Sequence, residues 1–416
     1  MLPNRNIIVI DLKSFFASCE CVERHLDPFQ IDLVVANPHQ GNGAITLAIT
    51  PHLKAQGVKS RTRLYEIPKN IKYTIVPPRM SLYIKKSKEV VSIYLDYVAP
   101  TDLHIYSIDE CFLDLTNYLK MYHHTDYEIA QIIMQDIYKK TGLTSTCGIG
   151  PNMLLAKIAM DTEAKKDKNG IAKWTYESVQ TKLWRITPLS KMWGIGPRLE
   201  KRLNALKINS VGDLARYDKN KLKSKFGIMG EELWNHANGI DLSIISDYKM
   251  PHKSESYSHS QVLFKDYNGD NIKLIIREMI DLICARLRTN HKRACLIGLG
   301  IGFSHSMGGG FYHNTKVAPT DLESDFLNAA LNIFDRYYND EPIRKVSIVA
   351  GNLTNNSIMQ LNMFEDLKHI ESQEKINKAI DEVKAKYGKN SLLKATALLN
   401  DSTAIERNHK IGGHHE

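Results

Sequence analysis

Residues 104–115 read HIYSIDECFLDL and set two neighbouring acids, Asp109 and Glu110, inside an apolar run. Successive side chains of a regular strand point to opposite faces, so an unbroken strand here would bury one of the two charges. The chain has to bend at this point, either as a solvated hairpin turn or so that both carboxylates serve one site. Asp11 closes a second apolar run, NIIVID (6–11). Acids at the ends of neighbouring strands are the ligand set of hard divalent cations, which take carboxylate oxygens. Two such ions roughly 3.5–4 Å apart clamp the attacking and leaving oxygens of an in-line phosphoryl displacement.

Helical spacing marks residues 14–26, 81–98 and 127–142, whereas 31–36 and TSTCGIG (144–150) are β-rich. A strand, a strand–turn–strand unit and interleaved helices predict an antiparallel sheet backed by helices, an α+β arrangement holding Asp11 and Asp109 in one sheet. Two short helix pairs follow between 178 and 240, and 254–352 spells β-α-β-β-α-β, the element order of a separate ferredoxin-like domain. Beyond Asn352 the chain turns polar and no core pattern recurs; EKINKAIDEVKAKYG (374–388) is helix-compatible, and at the end HKIGGHHE, where His414 and His415 are a candidate metal pair, a disordered tail is the preferred reading.

At 416 residues the chain exceeds what one hydrophobic core serves, which predicts about two to four domains. No apolar run approaches the ~18 residues of a membrane span, and the N-terminus lacks the cleavage site of a signal peptide. The six cysteines show neither zinc spacing nor a disulfide framework, which fits a reducing, cytoplasmic setting. A formal charge of +9 favours polyanionic partners, since each Lys or Arg that neutralises a phosphate releases a counterion.

VIDLKSFFAS (9–18), YSIDECFLDL (106–115) and CGIGPNMLLAKIA (147–159) resemble, in order, the three main motifs of Y-family translesion DNA polymerases, nearest the UmuC-like, UvrX-like branch of Gram-positive bacteria. The likeness covers about residues 5–365. It implies a multidomain right-hand polymerase: a ferredoxin-like palm (1–15 and 79–175), small fingers (16–78), a helical helix-hairpin-helix thumb (176–240), a linker (241–253), a βαββαβ little finger (254–352) and a C-terminal tail (353–416). It further implies two Mg²⁺ ions, with Asp11 and Asp109 bridging both, Glu110 on the catalytic ion and the Leu12 carbonyl on the nucleotide-bound one.

Around the nucleotide, the resemblance makes Phe16 a steric gate against the ribose 2′-hydroxyl. Phe15 is its neighbour about 100° round the helix, so one ring turns to the core while the other faces the sugar. Two family positions that grip the triphosphate with a Tyr and an Arg hold Pro51 and Lys54 here; Lys54 keeps a point charge but no guanidinium fork. Of the loop lysines, Lys165 is preferred over Lys166 as the phosphate ligand.

MWGIGPRLEKRL (192–203) supplies a thumb hairpin, with Gly194 and Gly196 letting the backbone approach a phosphate and Arg198 and Lys201 beside it. In the little finger, Arg293 and Lys345 are among the implied phosphate contacts. QLNMF, with Gln360, Leu361, Met363 and Phe364, resembles the peptide that docks on the bacterial sliding clamp (beta subunit). The implied partners are primer-template DNA, dNTP and the clamp, with a recombinase filament as candidate accessory and no membrane, for a monomeric enzyme. The implied activity is template-directed DNA synthesis opposite damaged bases, with low fidelity and no proofreading. The alternatives are a non-catalytic, clamp-recruited DNA-binding adaptor and a nucleotide-only nucleotidyl transferase or cyclase; the hairpin and QLNMF count against the latter.

Overall fold

The computed structural model of the chain describes residues 2–250, 254–355 and 367–415. Two compact units emerge, one up to residue 250 and the other from 251 to 413. Among the described residues no helix is long and apolar enough to cross a membrane.

The first unit carries strands β1 (Ile7–Leu12), β2 (Leu33–Val35), β3 (Ala48–Ile49), β4 (Thr74–Val76), β5 (Leu103–Ile105), β6 (Glu110–Asp114), β7 (Ser145–Gly150) and β8 (Ile171–Lys173). Its main sheet runs β5-β6-β1-β7-β8. The first four positions reproduce the ferredoxin-like order, all antiparallel, and β8 is added parallel to β7. Strand β1 is buried on both faces and divides its side chains by parity. Ile8, Ile10 and Leu12 join the core under helices Met80–Leu95 and Asp126–Thr141. Ile7 and Val9 join the core built around helix Met153–Ala159. That second core continues without a break into the helices Pro197–Asn204, Val211–Arg216, Lys219–Phe226 and Ile228–Ala237. Strands β3-β2-β4 form a small sheet with its own core of Val34, Ile49, Leu53 and Leu64, against which helix Pro51–Ala55 is placed.

The second unit has strands β9 (Tyr257–Tyr267), β10 (Lys292–Phe303), β11 (Gly310–Thr320) and β12 (Ile343–Asn355), with helices Gly269–Thr289 and Glu323–Tyr337 packed on one face. The β-α-β-β-α-β element order is as expected, but the strand order is β11-β10-β12-β9. A ferredoxin-like sheet would pair the first strand with the third; here the last strand inserts between the first and second, so that reading is corrected. The same element order satisfies both arrangements, because each lets the two helices cover one face.

The helix-compatible run 374–388 is helical, within Leu367–Tyr387, whereas the expectation of a disordered tail is corrected as far as residue 413. Residues 367–413 include helices Leu367–Tyr387 and Ala404–Asn408, fastened to the second unit by polar contacts. Arg407 reaches the buried Glu278 at 3.1 Å, Arg288 holds Asp381 at 2.6 Å, and Lys394 holds Asp281 at 2.7 Å. Charge pairing rather than apolar periodicity anchors this segment, which is why no core pattern reveals it.

Candidate active site

Parity also places the acids. Asp11 pairs with Glu110 across β1 and β6, two positions along from the Val9–Phe112 pair, so both carboxylates share the face that looks onto helix Met153–Ala159. Asp109 escapes the alternation because it lies in the bend between β5 and β6. There the Leu12 N–H donates to the Asp109 carbonyl at 2.9 Å, and the amides of Tyr106 and Ser107 both donate to the Glu110 carbonyl at 3.0 Å. Ser107 Oγ donates to Asp109 Oδ1 at 2.6 Å, fixing that carboxylate's direction. The three acids thus occupy one end of the sheet, with the bend at Asp109.

The face is closed by a lysine ladder. Lys157, Asp161 and Lys165 recur every four residues along helix Met153–Ala159, the π-helical turn Met160–Ala164 and the residue that follows it. Lys165 Nζ lies 2.7 Å from Asp11 Oδ2 and 2.8 Å from Asp161 Oδ1. Lys157 donates to Glu110 Oε2 at 2.8 Å and lies 3.2 Å from Asp161. The helix reaches the sheet because Gly148 and Gly150 of β7 have no side chain: a Cβ at Gly148 would stand 2.0 Å from the Ala156 carbonyl oxygen.

Burial pushes the Asp11 and Glu110 carboxyls above the ordinary carboxylate range, and the lysines pull them back only in part. Burial opposes the Lys165 charge too, but Asp11 and Asp161 outweigh it and hold its pKa up. Desolvated, crowded carboxylates are what a divalent cation relieves. Among the described residues no three His, Cys, Asp or Glu side chains converge closely enough to chelate one ion, since the lysines draw Asp11 and Glu110 to themselves. Lys157 Nζ spans the buried Glu110 carboxylate, 2.8 Å from each of its oxygens. Three carboxylates at one end of the sheet, two of them desolvated and now neutralised by lysines, fit a cation site in their donor chemistry.

A cavity of about 470 Å³ opens beside these acids, lined by Asp11, Leu12, Phe16, Lys54, Asp109 and Lys165 among others. Phe15 is 2% exposed and belongs to the core, touching the cavity only as wall; Phe16 is half-buried and packs on Tyr83 with ring centroids 4.7 Å apart. Pro51 starts the short helix whose last turn carries Lys54, and burial lowers the Lys54 pKa. Lys165, not Lys166, lines the cavity. Arg61, Ser60 and Phe29 also line it and were not singled out as site residues from sequence; Arg61 stands in the basic run 54–63, the one signal that marks it.

Away from the acids, Gly194 has φ of 89°, a left-handed conformation that favours glycine, and Gly196 caps helix Pro197–Asn204. Space around both is open, and Arg198 and Lys201 are exposed. Lys345 is exposed on the helix-free face of the second unit, beside the glycines Gly300 and Gly302. Arg293 is corrected as a DNA contact: it is 5% exposed and its guanidinium is tied to Glu374 at 2.7 Å, with Asp321 nearby. Gln360, Leu361, Met363 and Phe364 lie outside the described residues.

Comparison with known proteins agrees along the chain. Residues 10–161 match the impB/mucB/samB family, 176–208 the IMS family HHH motif, and 254–363 the impB/mucB/samB family C-terminal domain. The chain is 38% identical to the Bacillus subtilis (strain 168) protein UvrX, named for UV-damage repair, over 99% of this chain and 98% of that one. It is 33% identical to DNA polymerase IV 2 of the same organism over the full length of both, and 29% identical to DNA polymerase IV of Clostridium acetobutylicum over 94% of this chain and 98% of that one.

Proposed function

The chain belongs to the impB/mucB/samB family, the Y-family DNA polymerases, and we propose that it extends primers opposite damaged bases by two-metal-ion nucleotidyl transfer. The observation that carries this reading is the pairing of Asp11 with Glu110, with Asp109 at the adjoining bend, beside a cavity that Asp11 and Asp109 also line. Asp11, Asp109, Glu110 and the Leu12 carbonyl are the groups that would hold two Mg²⁺ ions, which when bound acidify the primer 3′-hydroxyl and take up charge on the leaving pyrophosphate.

The remaining work falls to the chain's own side chains. Lys165 and Lys54 present positive charge to a triphosphate in the cavity, as point donors without Arg's bidentate fork. Pro51 offers no hydrogen bond, and among the described residues lining the cavity Arg61, on the same wall, supplies a guanidinium. Phe16, backed by Tyr83, occupies the space a 2′-hydroxyl would need. The Gly194–Gly196 turn, with Arg198 and Lys201, holds backbone phosphates, which positions DNA without reading its sequence. Lys345 adds a phosphate contact on the second unit, and residues 360–364 dock on the sliding clamp, raising the local concentration at the primer end. The reading includes low fidelity, no proofreading and action as a cytoplasmic monomer.

Primer extension with Mg²⁺ on undamaged and abasic templates, comparing the native protein with Asp109→Asn, tests it. Extension by the native protein that the variant loses supports the reading; no extension by the native protein on either template favours the clamp-recruited adaptor. Replacing Leu361 and Phe364 by Ala is expected to remove clamp-stimulated synthesis and spare basal synthesis, and equal loss of both refutes the clamp assignment.

A further inference from the structure

Over its described side chains, from Ser372 on, helix Leu367–Tyr387 turns acids and amides toward the second unit and apolar residues outward. Glu374 and Asp381 turn toward the second unit, where Arg293 and Arg288 hold them at 2.7 and 2.6 Å, and Gln373 and Asn377 line the adjoining cavity. Of the large apolar side chains described on this helix, Ile376, Val383 and Tyr387 face the other way, 48%, 37% and 66% exposed, and Ile380 is half-buried beside them. Their spacing of seven and four residues aligns them in one helical stripe, with exposed Ala379 between. None belongs to the second unit's core.

The rim of the stripe is basic. Among the described side chains of the helix, Lys375, Lys378 and Lys386 are exposed against one exposed acid, Glu382, because Glu374 and Asp381 are committed to arginines of the second unit. Isolated exposed apolar residues are ordinary, but an aligned, unpartnered stripe on a helix is a docking feature.

We propose that this stripe docks an acidic amphipathic helix of a partner protein. Charge and apolarity together select the occupant. A second copy of this chain would bring like-charged rims together, and duplex DNA offers phosphates but no apolar surface to cover Ile376 and Val383. A partner helix with an apolar face and acidic flanks meets both demands.

The probe is a labelled helical peptide with leucines at i, i+4 and i+7 and glutamates along both flanks, titrated into the full chain beside a counterpart whose flanks are lysine. The glutamate peptide is expected to bind, less tightly as salt rises, and the lysine peptide to fail. Ile376→Asp with Val383→Asp should weaken binding about tenfold or more, as should Lys375→Glu with Lys378→Glu, while far-UV circular dichroism, thermal midpoint and primer extension stay unchanged. Equal binding of both peptides, or full binding by the Ile376/Val383 variant, overturns the proposal. So does a drop in that variant's thermal midpoint, which would mean that the chain itself covers the stripe. Concentration-dependent dimerisation abolished by the same variant would assign the face to a second copy. Duplex DNA binding lost in the lysine variant but kept in the apolar one would assign it to nucleic acid.

Discussion

Asp11 and Glu110 face each other across β1 and β6, both on the side of the sheet covered by helix Met153–Ala159. Burial makes their charges unfavourable, so the site carries a cost that a bound cation offsets. Asp11→Asn should therefore cut primer extension by about 10²-fold or more without unfolding the protein. In chelator its thermal midpoint should equal or exceed the native one, and Mg²⁺ should raise the native midpoint only. A lower midpoint in chelator would instead make Asp11 a structural anchor for Lys165.

Lys157 is 8% exposed on its side chain and holds Glu110 at 2.8 Å. Removing one partner of a buried pair strands the other, at a cost of about 3–5 kcal/mol, whereas removing both charges is often close to neutral. Lys157→Met should lose stability on that scale in urea unfolding, and Lys157→Met with Glu110→Gln should recover most of it. If the double variant is as unstable as the single, Lys157 acts through its packed alkyl stem.

The acids were legible because three charges interrupt apolar runs, and a period of two fixes which side each strand residue takes. The bend at Asp109 followed from the same rule. The Lys157, Asp161, Lys165 ladder stands openly in the sequence at spacings of four, yet such pairs ordinarily decorate solvent-facing helices; only the glycines of β7 bring this one onto the sheet. Arg293 misled for the converse reason, since an arginine near a strand end reads as surface charge until Glu374, 81 residues on, is folded back over it. The strand order of the second unit is a choice among long-range pairings that local pattern does not encode.

Phe16 leans on Tyr83, whose hydroxyl donates to the fully buried Glu20 at 2.7 Å; Arg79 completes the cluster at 2.7 Å from the same carboxylate. Phe16→Ala should raise the ratio of ribo- to deoxynucleotide incorporation strongly. Tyr83→Ala, removing the backing, should raise it less while leaving deoxynucleotide incorporation near native. Single-nucleotide incorporation with matched dCTP and CTP reads both, and an unchanged ratio in Phe16→Ala would end the steric-gate assignment.

At the thumb hairpin, Lys201 is exposed one turn into helix Pro197–Asn204. As a phosphate contact it should weaken DNA binding evenly across sequences when changed to Ala and lower the salt slope by about 1. Fluorescence anisotropy on several duplexes over a salt series measures both, and a sequence-dependent loss would contradict a backbone role.

Asp281 supplies a pH test for the C-terminal segment. Lys394 binds it at 2.7 Å, but burial and the neighbouring Glu323 carboxylate push the Asp281 pKa from 3.8 to about 6. A carboxyl whose folded pKa exceeds its unfolded one costs nothing while both states are protonated, below about pH 4; the cost grows as pH rises and is complete above about 6. Asp281→Asn keeps the shape without the charge, so it should be near neutral at pH 4 and stabilising at pH 7, by up to about 3 kcal/mol. The four tryptophans, Trp174, Trp184, Trp193 and Trp234, all lie in the first unit, so intrinsic fluorescence does not follow this region. Hydrogen exchange over residues 269–289 does, and protection in the variant should exceed native protection at pH 7 and match it at pH 4 once intrinsic rates are corrected. Weaker protection at pH 7 would mean that the ion pair with Lys394 outweighs the burial of the Asp281 charge.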